Sequence, residues 1–162
     1  MNFWKHAILI VVLVSPVAAV ASESECRAIA QREYPDDASM QTFVYNQQLS
    51  AYRYMLTVTD AEVKAFAERE YANDYAMQKF VYDKQVADKR YLGTVTDSEV
   101  LAFARREYHF DYSMQKFVYD KQVADKRYMS AMPETAAKAA ARREYPYDYS
   151  MQKFVYDRSV TR

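Results

Sequence analysis

The feature that most constrains this chain is a fixed 37-residue period: Arg-Glu-Tyr recurs at Arg32, Arg69, Arg106 and Arg143 with no slip of register. Residues 59–95 and 96–132 match at 27 of 37 positions, and Gln78 to Tyr91 recurs unbroken as Gln115 to Tyr128. A unit of this size cannot hide an apolar face by itself, so successive copies must stack to make a continuous core. The period divides the chain into a leading segment, 1–21, and four units, 22–58, 59–95, 96–132 and 133–162.

The leading segment has the order of an export signal. Lys5 supplies a positive start, Ala7 to Val14 is an apolar run, and Pro16 precedes the small residues Ala19-Val20-Ala21. The run is shorter than the roughly 20 residues a membrane-spanning helix needs. The sequence therefore predicts cleavage before Ser22 and a periplasmic or secreted mature chain with no membrane span. That mature chain holds 21 basic and 22 acidic residues, a formal net charge of −1. Such a balance lacks the basic footprint of a nucleic-acid binder.

Composition points to helix. Gly93 is the only glycine, whereas tight-turned β folds draw on many. In the second and third units, Thr59 with Glu62 and Thr96 with Glu99 fit a capping box, as Ser22 with Glu25 does in the first. The fourth unit has Pro133 instead, a residue suited to a first helical turn. A first helix, A, then shows Val100, Phe103, Ala104 and Tyr108 on one face, and Val63, Phe66, Ala67 and Tyr71 likewise. Cys26 occupies the slot of Val63 and Val100 and reads as a buried small side chain; a single cysteine rules out an internal disulfide.

A short break ends in Asp37, Asp74, Asp111 or Asp148, each read as the N-cap of a second helix, B. Its core stripe is read as Met114, Phe117, Val118 and Lys121, equivalent to Met40, Phe43, Val44 and Gln47, with a charged second half carrying pairs such as Lys121 with Asp125. The expected fold is all-α: tandem helical hairpins forming a short α-solenoid or an eight-helix array. The period is close to that of 34-residue tetratricopeptide repeats, but their Trp, Leu-Gly and Pro signature is absent, so no family residue is carried over.

Catalytic or metal-binding constellations are missing from the pattern. His6 lies in the leading segment and His109 stands where other units have Pro35, Ala72 and Pro146. Neither serves as a repeated base or ligand, and one glycine cannot build a phosphate-cradling loop. The sequence predicts no enzyme, no cofactor and no metal. The polar residues shared by all units, Arg32, Glu33, Asp37, Gln41 and their equivalents, are expected to bond between neighbouring units.

A second stripe of helix B carries the functional expectation. Gln41, Tyr45, Gln48 and Tyr52 recur as Gln78, Tyr82 and Gln85, as Gln115, Tyr119 and Gln122, and as Gln152 and Tyr156. Tyr and Gln combine apolar area with hydrogen-bonding tips, the chemistry of a protein or peptide contact face. The same side chains could instead seal the joints between hairpins. The reading is a non-enzymatic protein-interaction or scaffold module that holds a protein or peptide partner on this face. Two alternatives follow: a structural envelope or surface protein that self-associates head to tail, and, last, an enzyme or small-ligand carrier with its site between units.

Overall fold

A computed structural model describes residues 16–161, with side chains from Ser22 onward. The described residues form eight α-helices and no strand: α1 (Pro16–Glu33), α2 (Ala38–Thr57), α3 (Ala61–Glu70), α4 (Tyr75–Leu92), α5 (Ser98–Glu107), α6 (Tyr112–Ala131), α7 (Ala136–Glu144) and α8 (Tyr149–Val160). The all-α, eight-helix array expected from the period is thus what the described residues form. Residues 1–15 of the expected targeting segment lie outside the described residues. No described helix is long and apolar enough to cross a membrane.

Helix starts follow local chemistry, with corrections. Asp37, Asp74, Asp111 and Asp148 cap the B helices as expected, their carboxylates accepting from the amides of Met40, Met77, Met114 and Met151. The A helices begin one residue later than Thr59 and Thr96 implied. Asp60 and Asp97 accept from Val63 N and Val100 N, so a carboxylate rather than the preceding hydroxyl takes the cap. Ser22 lies inside α1 rather than ahead of it, since that helix runs from Pro16 to Glu33. Pro133 lies outside the first turn of α7, whose cap is Thr135.

Packing alternates in a simple way. Each A helix lies on the B helix of its own unit, and the B helices stack in a row, α2 on α4, α4 on α6, α6 on α8. The first unit has a cluster of its own, Ile29, Ala30 and Val44, and the next two clusters each draw on the end of the preceding B helix. Val100, Ala104 and Tyr119 of the third close on Leu92 from the end of α4; Val63, Ala67 and Tyr82 close on Met55 from α2. Cys26 is fully buried, as expected from its equivalence to Val63 and Val100.

The B-helix core is rotated from the expected stripe. Phe43 and Phe117, assigned to the interior, are each 61% exposed, and Gln47 and Lys121 are exposed, while Met40, Met114 and Val118 are half-buried and Val44 is buried. The interior is built on Gln115, Tyr119, Gln122 and Met129. Hydropathy favoured the phenylalanine phase; the glutamines win the inside because their amides satisfy backbone groups at helix ends.

Candidate interaction surface

The twelve residues of the Gln/Tyr stripe are largely interior. Gln48, Gln78, Tyr82, Gln85, Gln115, Tyr119, Gln122, Gln152 and Tyr156 are buried, and Gln41, Tyr45 and Tyr52 are half-buried. The stripe is therefore not a free contact face, and the physical reason is visible bond by bond.

Gln41, Gln78, Gln115 and Gln152 brace the hairpin. Their Nε2 groups donate to the carbonyls of Tyr34, Tyr71, Tyr108 and Tyr145 at 2.7, 2.7, 2.5 and 2.6 Å, at the C-terminal ends of the A helices. These carbonyls have no partner within their own helix. The donor end alone is satisfied in two cases: Oε1 of Gln115 and of Gln152 is buried without a partner. Tyr82 and Tyr119 reach the other end of the hairpin, where their hydroxyls accept from Asp60 N at 3.2 Å and Asp97 N at 3.3 Å.

Gln48, Gln85 and Gln122 join units. Gln85 Nε2 donates to Asp111 Oδ1 at 2.8 Å, and its Oε1 accepts from the amides of Tyr112 (2.6 Å) and Ser113 (3.3 Å). The first two amides of α6 are thus satisfied by the preceding unit, the third by Asp111 Oδ1 and the fourth by its carbonyl. Gln122 does the same for α8 through Asp148, Tyr149 and Ser150. Gln48 bonds Asp74 Oδ1 and accepts from Ala76 N. Tyr52 stacks edge-on against Tyr75 of the next unit, centroids 5.1 Å apart.

Charged groups reinforce the same joints. Lys121 Nζ and Ser150 Oγ both donate to Asp125 Oδ2, at 2.7 and 2.6 Å, and Lys84, Ser113 and Asp88 repeat the arrangement. Tyr54 and Tyr91 donate to Asp83 and Asp120 of the following unit, each at 2.5 Å, where Lys79 and Lys116 also bind. The carboxylate of Asp83 pushes the Tyr54 hydroxyl up to about 12, since the bond favours the protonated phenol. Lys89 donates to Asp60 Oδ2 at 2.8 Å, which holds the Asp60 carboxyl below its ordinary range. Arg69 and Arg106 pair with the adjacent Glu70 and Glu107 rather than across units, contrary to expectation. All four of these residues are exposed at the ends of α3 and α5, and Arg69 and Arg106 lie over the rings of Phe66 and Phe103 on their own helices, 5.1 Å from the centroids.

The face that this packing leaves open was missed by hydropathy. Phe43, Phe80, Phe117 and Phe154 occupy one position per unit and are 61, 61, 61 and 56% exposed. Phe117 is two residues from both Gln115 and Tyr119, roughly 200° round the helix at about 100° per residue. It therefore points away from the A helices, which hold the Gln/Tyr side. Ser113, Lys121 and Ala124 share its side of α6 at helical spacing. An open groove of 420 Å³ between α6 and α8 runs beside Phe154, with Lys121 and Arg158 at its edge. The signal was present in the sequence as a choice of phase: either the Phe or the Gln/Tyr stripe had to face outward.

Among the described residues, no group of three or more His, Cys, Asp or Glu is placed to hold a metal ion. No protein-family model, curated protein or solved structure matches the chain.

Proposed function

We propose that this chain is an exported, non-catalytic interaction or scaffold module whose contact surface is the phenylalanine face of the B-helix row. The observation that carries the reading is the repeated exposure of one aromatic residue per unit. Four equivalent phenylalanines, each more than half exposed, form one recurring apolar set instead of scattered surface residues. Together they expose roughly 480 Å² if a phenylalanine side chain offers about 200 Å², comparable with the largest apolar patches of soluble monomers, which are often functional. The Gln/Tyr joints supply rigidity behind it, since every unit fastens the start of the next B helix. Export rests on the leading segment, with its Lys5 start and small-residue stretch up to Ala21.

The test is Phe80→Ala with Phe117→Ala in the mature chain. Helical content and melting should stay near wild type, because exposed substitutions change stability by only about 0.5 kcal/mol. Capture of partners from an envelope extract, scored by mass spectrometry against wild type, should be lost. An unfolded double variant, or one that retains the same proteins, rules out the face as the contact surface. N-terminal sequencing of the exported protein should begin at Ser22.

A further inference from the structure

Resting on that reading of the surface, we infer that the occupant of the phenylalanine face is a second copy of this chain, packed face to face in a two-fold dimer. Three observations converge on it: spacing, charge and area.

Spacing comes first. The rungs Phe43, Phe80, Phe117 and Phe154 are set by the stacking of α2, α4, α6 and α8, so their separation follows the distance between packed helices, roughly 8–10 Å. An evenly spaced set superposes on itself under a two-fold axis at its centre. Phe80 of one copy then meets Phe117 of the other, and Phe43 meets Phe154, an isologous contact in which both copies use the same patch. A second copy carries this period by construction.

Charge is close to balanced on this face. The lysines flanking the rungs are already matched within the chain: Lys79 with Asp83 at 2.7 Å, Lys84 with Asp88 at 2.8 Å, Lys116 with Asp120 at 2.6 Å, Lys121 with Asp125 at 2.7 Å, and Lys153 with Asp157. The exposed Arg158 beside Phe154, at the position of Lys121, adds one cation, so the excess of positive charge offered to an anionic lipid surface or an acidic peptide is small. In the two-fold pairing the Arg158 end meets the uncharged Thr42, Asn46 and Gln47 beside Phe43, and the central rungs bring Lys/Asp pairs together, so two such faces approach with little repulsion.

Area is sufficient. Burying the exposed parts of the phenyl rings from both copies removes roughly 950 Å² from water, and the half-buried Met40, Met77, Met114 and Met151 beside them bring the contact into the 1,200–2,000 Å² range of stable interfaces. Extension end to end has less to offer. The joint glutamine, Gln122 in the third unit, is replaced in the fourth by Ser159, and the Lys79/Asp83 receiving pair is replaced in the first by Thr42 and Asn46.

The experiment is light scattering and sedimentation of the mature protein over a concentration series, beside Phe80→Ala/Phe117→Ala. Wild type should show twice the chain mass, and the variant should need roughly 100-fold higher concentration to dimerise while keeping its helical signal and melting. Register is checked with Phe43→Cys and Phe154→Cys, which keep the two central rungs. Mixed together with a short bis-maleimide they should cross-link, and alone they should not; the native Cys26 is fully buried. A wild type monomeric at every concentration overturns the second copy but leaves the binding face standing if the alanine variant still loses a captured partner. A dimer insensitive to the alanine pair, or equal cross-linking within each single variant, overturns the two-fold pairing. Binding of monomer to phosphatidylcholine vesicles through the same phenylalanines assigns the face to lipid and overturns it too.

Discussion

Replacing Gln85 by leucine removes the polar link between the second and third units while leaving the volume of the joint nearly filled. Gln85 is 3% exposed, and it gives one bond to the Asp111 carboxylate at 2.8 Å and takes another from Tyr112 N at 2.6 Å. A net hydrogen bond contributes about 1 kcal/mol and one to a charged group about 1.5–3, with leucine returning part of the loss through its apolar surface. The expected destabilisation is about 2–3 kcal/mol, or a fall in melting temperature of roughly 4–12 °C for a chain of this size. Gln122→Leu breaks the equivalent joint through Asp148 and Tyr149. The two sites share no partner, so the double variant should lose about 4–6 kcal/mol, additive to within roughly 0.5. Gln47→Leu is the control, because Gln47 is exposed, and should change stability by no more than about 0.5 kcal/mol. Urea unfolding followed by circular dichroism measures all four. A loss below about 0.5 kcal/mol for Gln85→Leu would mean that water caps α6 as well as the glutamine does, and the account of the joints would be wrong.

Stability should fall at both ends of the pH scale. The carboxyls of Asp60 and Asp157, lowered first by their bonds to Lys89 and Lys153, stabilise the fold above the ordinary carboxylate range of about 4, and that contribution is lost as pH drops through their lower folded values. Tyr54, Tyr91 and Tyr128 are raised first by their bonds to Asp83, Asp120 and Asp157. Their contribution is complete below the unfolded tyrosine value of about 10 and is lost as pH climbs through the folded value; for Tyr54 that value is about 12. Urea midpoints measured from acid to alkali check both limbs, and Tyr54→Phe should shrink the alkaline one; an unchanged midpoint across the tyrosine range would refute it. Gly93→Ser should cost less than about 1 kcal/mol by thermal melting: the position has φ −73°, open to any residue, and the third unit carries Ser130 there. An added Cβ would lie 3.2 Å from the Arg90 carbonyl oxygen and 3.7 Å from that of Lys89, a close contact that a small shift of the helix end relieves. A large loss would show that the end of α4 depends on glycine.

How much of this was legible beforehand differs sharply between levels. Period, helix content, the four Asp caps and the burial of Cys26 follow from local rules: identical short stretches bring identical propensities, and an Asp ahead of a periodic segment can satisfy the next helix wherever it sits. The A-helix caps were misplaced by one residue because Thr59 and Asp60 are both good caps, and the carboxylate took the role. The candidate site was legible as a pair of stripes but not in orientation.

Orientation belongs to the tertiary structure. Seen alone, helix B offers an aromatic stripe through Phe117 and a polar one through Gln115, Tyr119 and Gln122, and transfer free energy favours burying the first. Stacking changes the balance, because the start of each B helix and the end of each A helix present bare amides and carbonyls that meet only once neighbours are in place. A buried glutamine that answers those groups offsets its own desolvation and theirs together, so the polar stripe turns inward and four phenylalanines are left in water. Sequence determined the repeating unit; the unpaired backbone at the junctions between units decided which side of it faces out.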